Sequence, residues 1–235
     1  MECVTTMTSK IDKKQLMKLI SFMTMADGGI YRRNRSGKLE TPYFMMNMLT
    51  KNKDYIEFVQ ETLNHITTTS LTDVKNPCKN PQMCLRTKHH PYFEAIWERI
   101  YIEGYKGLDI HAFKLLDWES LAILYMCDGS LSTYQKDSKE YYHVTLNMKR
   151  LSYGDQLFMK KAFKDTFDIE FNINQGKTNG KTYYYLRLRT KDVKTFMNGI
   201  RPHVLPSFHY KLLTYDVEQV APETTILDDD IVCSA

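Results

Sequence analysis

No apolar run in this 235-residue chain approaches the ~20 residues that a membrane-spanning helix needs, which excludes a membrane-spanning helical protein. Cysteine is sparse and does not pair by count or spacing. Cys3, Cys78, Cys84, Cys127 and Cys233 are odd in number and irregularly placed, which argues against a disulfide framework. With no signal peptide in Met1–Lys10, the expected setting is reducing and intracellular, either cytoplasm or an organelle matrix. Patterns such as G-x-x-x-x-G-K-[ST], H-E-x-x-H and G-x-S-x-G are missing, which removes three common kinds of catalytic site. Cys78 and Cys84 precede His89-His90, but the cysteines lack C-x₂-C spacing and neighbouring histidines do not easily reach one metal, so zinc is disfavoured. Low-complexity sequence is absent as well. Lysine and arginine are missing from Asp216 onward, where six acids stand without a counter-charge.

The remaining 215 residues hold 32 basic and 22 acidic side chains, a net +10 hidden inside a whole-chain charge of +4. A body of that sign fits a polyanionic partner, because each neutralised phosphate releases counterions. Two apolar runs then stand out, Ile20–Gly28 and Leu121–Gly129, each ending in Asp-Gly. Asp27 and Asp128 are 101 residues apart, and the order of elements after each run repeats at the same interval. The first half predicts a helix over 13–26 begun by Asp12, strands over 30–35 and 43–49 joined at 36–38, a helix over 52–66, strands over 67–75 and 83–89, and a helix opened by Pro91. The second half predicts a helix over 118–127 capped by Asp117 and strands over 130–135 and 141–148. A helix over 152–167 follows, capped by Ser152, with Leu157, Phe158, Ala162 and Phe163 facing inward. A hairpin of 169–174 and 181–189 across the Gly176–Gly180 turn and a helix over 191–200 complete it.

The expected class is therefore α+β: two α-β-β-α-β-β-α units, each with a four-stranded antiparallel sheet covered by helices on one face. The expected organisation is a first half over 1–103, a linker over 104–117, a second half over 118–215 and an acidic tail over 216–235, read as a flexible end. Alternation along the strands turns one set of side chains away from those helices. That outer set comprises Tyr31, Arg33, Arg35, Tyr43, Asn47, Arg86 and Lys88 in the first half. In the second it comprises His143, Asn147, Lys181, Tyr183, Tyr185, Arg187 and Arg189. Such donors suit phosphates and base edges.

With both runs and both units placed, the chain resembles the LAGLIDADG homing endonucleases, specifically the single-chain, two-motif enzymes encoded in group I introns and inteins. The resemblance rests on Ile20–Gly28, Leu121–Gly129 and Val204–Leu212, whose proline-then-Tyr-Lys-Leu ending is typical of the family's second half. It implies a monomer whose two sheets form a saddle on double-stranded DNA. It further implies a staggered double-strand break across the minor groove at a long intronless target. Asp27 and Asp128 would hold Mg²⁺ (with Mn²⁺ able to substitute), with Ala26 and Cys127 directly before them in the ligand set. Lys211, and Lys106 as its first-half counterpart, would be the basic residues of the site. Members with this fold also serve as RNA maturases or DNA-binding regulators, so host intron RNA is an alternative partner. Two departures stand out. Phe22 and Ile123 occupy mid-motif positions that are often small, which shifts the expected close packing to Ser21, Ala26, Ala122 and Cys127. Met25 and Met126 stand where some motifs have a second acid.

Overall fold

The computed structural model describes residues 12–74, 80–136 and 139–213; Cys3, Cys78, Cys233 and the acidic tail lie outside the described residues. The two motif runs are helices α1 (Lys13–Met25) and α5 (Trp118–Asp128). In α5 every residue from Leu121 to Met126 is buried, so the helix is apolar all round and serves as the centre of the core. Asp117 caps it, accepting from the Ser120 amide at 2.9 Å. Asp12 stands at the corresponding position of α1 but its side chain makes no capping bond.

The two helices run side by side in the same direction. Gln15 Nε2 donates to Glu119 at 2.9 Å, and Lys18, only 1% exposed, is ion-paired with Asp117 and lies 3.7 Å from Glu119. With their N-termini tied in this way, both C-termini arrive at one end of the molecule. Phe22 does not fill the seam between them as its mid-motif position implies. Its ring meets Phe113 at 5.2 Å, and the buried Ser21 donates to the buried Asp109 at 2.8 Å.

Each helix feeds a sheet of the same topology. The first sheet joins β1 (Gly29–Tyr31), β4 (Tyr43–Leu49), β5 (Thr69–Val74) and β6 (Gln82–Thr87) in the order β1-β4-β6-β5. The second joins β9 (Gly129–Lys136), β10 (Lys139–Leu146), β11 (Phe171–Thr178) and β12 (Lys181–Leu188) in the order β9-β10-β12-β11. All pairings are antiparallel. Helices α2 (Lys53–Asn64) and α3 (Tyr92–Ile100) cover the inner face of the first sheet, and α6 (Tyr153–Phe167) and α7 (Val193–Ile200) that of the second. Phe44, Met46, Leu85, Val144, Leu146, Leu186 and Leu188 point into the resulting core as their alternation predicts.

Four expectations need correction. The strand over 30–35 ends at Tyr31, and the chain forms a separate small hairpin of β2 (Asn34–Arg35) and β3 (Lys38–Leu39), because Ser36 and Gly37 both adopt positive φ and turn it back at once. The β11–β12 turn is not the five residues 176–180 but Asn179-Gly180 alone, at φ 49° and 74°, so pairing extends to Thr178↔Lys181. The capping box of α6 forms between Ser152 and Asp155, but Leu157 is 46% exposed; Gln156 is buried in its stead and donates to the carbonyls of Met148 and Tyr184 at 3.3 Å. The stretch 104–117 carries structure of its own. It completes a hairpin of β7 (Tyr101–Ile102) and β8 (Tyr105–Lys106), then forms α4 (Ile110–Phe113), which Asp109 caps through the amides of His111 and Ala112.

The segment that closes each half packs onto the other half. Phe113 of α4 meets Phe158 of α6 edge-on at 5.4 Å and Phe163 at a tilt at 6.3 Å. In the 3₁₀ turn 206–211, Phe208 meets Tyr55 of α2 edge-on at 5.7 Å, and the Ser207 amide donates to Asp54 at 2.9 Å. The two motif methionines steer both segments. Met25 Sδ accepts from the Asp109 amide at 3.1 Å, and Met126 Sδ from the Leu205 amide at 3.4 Å.

Candidate active site

Each motif helix must turn immediately into a strand, and a glycine makes that possible. A Cβ on Gly28 would lie 2.7 Å from the Met23 carbonyl, and one on Gly129 would lie 2.4 Å from the Tyr125 carbonyl and 2.1 Å from its ring. No side chain fits there, so the acids immediately before, Asp27 and Asp128, each stand at a turn that requires glycine next.

The acids are not equivalent. Asp27 is exposed, whereas the Asp128 side chain is 17% exposed and its Oδ2 is buried with no hydrogen-bond partner. Burial raises the Asp128 carboxyl to about 6, with Asp27 adding to the rise and Arg150, Lys106 and Lys211 opposing it. Arg150 Nη1 stands 3.9 Å from that orphaned oxygen, outside hydrogen-bonding range. An unpartnered buried carboxylate oxygen facing a second acid is the donor chemistry that a hard divalent cation takes up. Among the described residues no group of three or more His, Cys, Asp or Glu is gathered, so protein carboxylates supply only two ligands at this point.

Two lysines hold the helix ends in matching fashion. Lys106 Nζ donates to the carbonyls of Ala26 and Gly28 at 2.7 and 2.6 Å. Lys211 Nζ donates to those of Met126 and Gly129, both at 2.7 Å. The Ala26 carbonyl, expected among the metal ligands, is thus already engaged by Lys106. Cys127 turns its thiol to Tyr55 Oη at 3.2 Å, with burial pushing the thiol well above its usual range. Burial also pulls both ammoniums down, Lys106 to about 8, with Arg150 pressing the same way. Each lysine grips the end of its own half's helix, and the charges of both acids act on both lysines. Lys51, from the first half, presses on Lys211 as Arg150, from the second, presses on Lys106. Two clusters result, the Asp27 turn held by Lys106, and the Asp128 turn held by Lys211 with Arg150 3.9 Å from its carboxylate. Arg150 and Lys51 were not legible in sequence; each follows a strand by a few residues, a position that becomes central only when the strand is seen to end beside an acid.

The outer faces of the sheets carry the expected donors with three changes. Tyr43 is buried to 6% exposure beneath its neighbours. Tyr31 stacks at 5.9 Å, His89 at 4.9 Å, and the guanidiniums of Arg86 and Arg33 lie 4.2 and 5.7 Å from the ring. It is a platform that presents two arginines rather than a free surface ring. Arg35 sits on the β2–β3 hairpin, off the main sheet, so it does not share a strand face with Tyr31. Arg189 falls one residue beyond β12 and is ion-paired with Glu170 at 2.5 Å. Asn47 and Lys88 are exposed, and Lys181 stands exposed beside the turn. On the second sheet Arg187 donates to the ring of His143, whose protonated form burial and the guanidinium both disfavour. Asn147 bonds Thr145 at 2.9 Å, Lys149 Nζ lies 4.5 Å over Tyr183, and Tyr185 stands 6.1 Å from Tyr183. Pairing puts Asn172 and Asn174 of β11 opposite Arg187 and Tyr185, two further donors on a strand that the sequence analysis places only as one arm of a hairpin.

Two parallel helices ending in acids at the junction of two like sheets define the class. The sequence matches the profile of the LAGLIDADG DNA endonuclease family over residues 21–196. The chain belongs to that family. A probable intron-encoded endonuclease 1 of Wickerhamomyces canadensis is 27% identical over 181 residues, 73% of this chain and 74% of that one. The homing endonuclease I-WcaI, solved bound to its DNA recognition sequence, shares the fold with a TM-score of 0.67 at 18% identity, over 86% of this chain and 87% of that one. The meganuclease I-AabMI, solved on uncleaved DNA, superposes at a TM-score of 0.52 and 12% identity over 80% and 85% of the two chains.

Proposed function

We propose that this chain is a monomeric, site-specific homing endonuclease that makes a staggered double-strand break in a long intronless DNA target, using a divalent metal. The observation that carries the reading is the pair of acids at the converging helix ends, one with an orphaned buried oxygen. The DNA-bound relatives of like fold support the partner. The functional units of the reading are halves 1–103 and 118–215, the connector 104–117 and the tail 216–235.

Asp27 and Asp128 would hold Mg²⁺, or Mn²⁺ in its place; when bound, the ion lowers the pKa of water and offsets charge on the phosphate oxygens. The chain's own groups do the rest. The outer donors of both sheets, Arg86, Arg187 and Asn174 among them, hold the duplex across the saddle and read its edges. Lys106 and Lys211 fix the backbone that carries the acids, and with Arg150 and Lys51 they set positive charge where phosphoryl charge develops. One cluster serves each strand.

The test is a library of randomised duplexes incubated with the protein and Mg²⁺, with cut ends sequenced. A single staggered cut, lost in Asp27→Asn and Asp128→Asn while duplex binding persists, is expected. Full cleavage by either variant removes that acid from the mechanism, and promotion of intron splicing without DNA cleavage moves the protein to the maturase class. Arg187→Ala is expected to weaken duplex binding by about 1–3 kcal/mol, the value of a base contact.

A further inference from the structure

Each lysine of the site is preceded by a tyrosine, Tyr105-Lys106 in the first half and Tyr210-Lys211 in the second. The chemistry above gives these rings no part. They are nevertheless the two most exposed large apolar side chains among the described residues, Tyr105 at 80% and Tyr210 at 66%.

Their exposure follows from local geometry. In the β7–β8 hairpin, Tyr101 pairs with Lys106 and Ile102 with Tyr105. The first pair turns inward: the Ile30 amide donates to Tyr101 Oη at 3.1 Å, and Lys106 binds the Ala26 and Gly28 carbonyls. The second pair therefore turns outward, and Ile102 is 65% exposed beside Tyr105. In the 3₁₀ turn, Lys211 points inward to the end of α5, while Tyr210 stands outside it with its ring 5.8 Å from Lys51 Nζ and 6.4 Å from Phe208. Two unrelated backbone shapes, a hairpin and a 3₁₀ turn, thus produce one arrangement: a half-buried lysine turned onto a motif-helix end and an exposed tyrosine directly before it. Among the described residues Tyr105 meets no other ring, while Tyr210 lies alongside Phe208 with the Lys51 and Lys211 ammoniums about its ring. A ring with an apolar body and a hydroxyl donor matches a sugar carrying a phosphate.

We propose that Tyr105 and Tyr210 are substrate-positioning residues that clamp the sugar–phosphate backbone beside the two cuts. Each ring lies against a deoxyribose, and each hydroxyl donates to the phosphate adjoining the scissile one on the strand served by the neighbouring cluster. Tyr105 adjoins the Asp27 turn, whose Ala26 and Gly28 carbonyls Lys106 binds, and Tyr210 the Asp128 turn, whose Met126 and Gly129 carbonyls Lys211 binds, so each acts on a different strand. The inference rests on the nuclease reading and adds two contacts outside both the metal site and the sheets.

The experiment is single-turnover cleavage of the selected duplex with a different fluorophore on each strand. Tyr105→Ala and Tyr210→Ala are each expected to slow one strand about tenfold, and opposite strands, as misplacement of a reacting phosphate does. Nicked duplex accumulates, the other strand stays within about twofold of wild type, and melting temperature and duplex affinity hold, because both side chains are exposed and the sheets carry the affinity. Tyr→Phe variants fall between. Equal slowing of both strands, or no slowing, overturns the inference while leaving the nuclease reading intact. If the wild-type protein cuts no duplex, that reading falls on its own. Photo-crosslinking from p-benzoylphenylalanine at positions 105 and 210 then decides the contact with bound duplex: cross-links at both support it, and their absence overturns it.

Discussion

Asp128 carries two opposed demands. A carboxyl raised to about 6 binds its proton more tightly in the folded chain than in the unfolded one, so this group favours the native state at low pH. That contribution is complete below the unfolded value and is lost as pH rises through about 6. Without metal at pH 8, Asp128→Asn is therefore expected to raise the melting temperature by about 2–4 °C, the shift that about 1 kcal/mol gives in a chain of this size. The same substitution abolishes double-strand cleavage. A melting scan in chelator beside a cleavage assay checks both, and a lowered melting temperature would contradict the account. Cleavage depends on the ionised form, so its rate is expected to rise through about pH 6. It should decline above about 8 as Lys106 loses its charge, giving a bell whose alkaline limb disappears in Lys106→Met. The place of both acids at one end of the molecule was legible in sequence from the two motif runs, and Lys211 from the closing segment; Lys106 lies in the connector, whose place no motif fixes. The inequality of the acids was not legible, since burial of Asp128 is decided by what Arg150 and Lys106 bring to it from elsewhere.

Secondary structure was legible wherever an element answers to its own residues. Helix α5 is one case: its apolar run and the Asp117 cap are adjacent in sequence. The connector 104–117 is the opposite case. Asp109 caps α4 locally, but it is also held by Ser21 and Met25, 88 and 84 residues away, an anchoring no local pattern displays. The same holds at the helix N-termini, where Lys18 and Asp117 predict an asymmetry. Asp117→Ala strands a fully buried ammonium and is expected to cost about 3 kcal/mol, in the range measured for breaking buried pairs. Lys18→Met leaves Asp117, which is half exposed and can be hydrated, and should cost clearly less. Chemical denaturation of the two variants checks the order, and equal losses would refute it. At the other end of α5, Gly129→Ala forces a methyl into the Tyr125 carbonyl. It is expected to reduce cleavage more than binding, because the turn that carries Asp128 moves while the sheets do not.

At the scale of the molecule, the charge of +10 on residues 1–215 has a visible use in the arginines and lysines of both sheets. Duplex affinity is expected to fall about 10³–10⁵-fold between 50 and 200 mM salt if six to ten phosphates are contacted. A binding titration across that range measures the slope, and a flat response would remove the saddle as the docking face. The repeat of 101 residues made two halves legible from sequence, but not that each centre draws on both. Because Lys106 and Lys211 each act on both acids, the chain is divisible for heredity at 104–117 yet indivisible there for chemistry. A recombinant joining the first half of this protein to the second half of a relative would inherit two hybrid centres, not one native and one foreign. Shuffling that is meant to preserve catalysis should exchange the outer sheets and leave the closing segments with the helices they already grip.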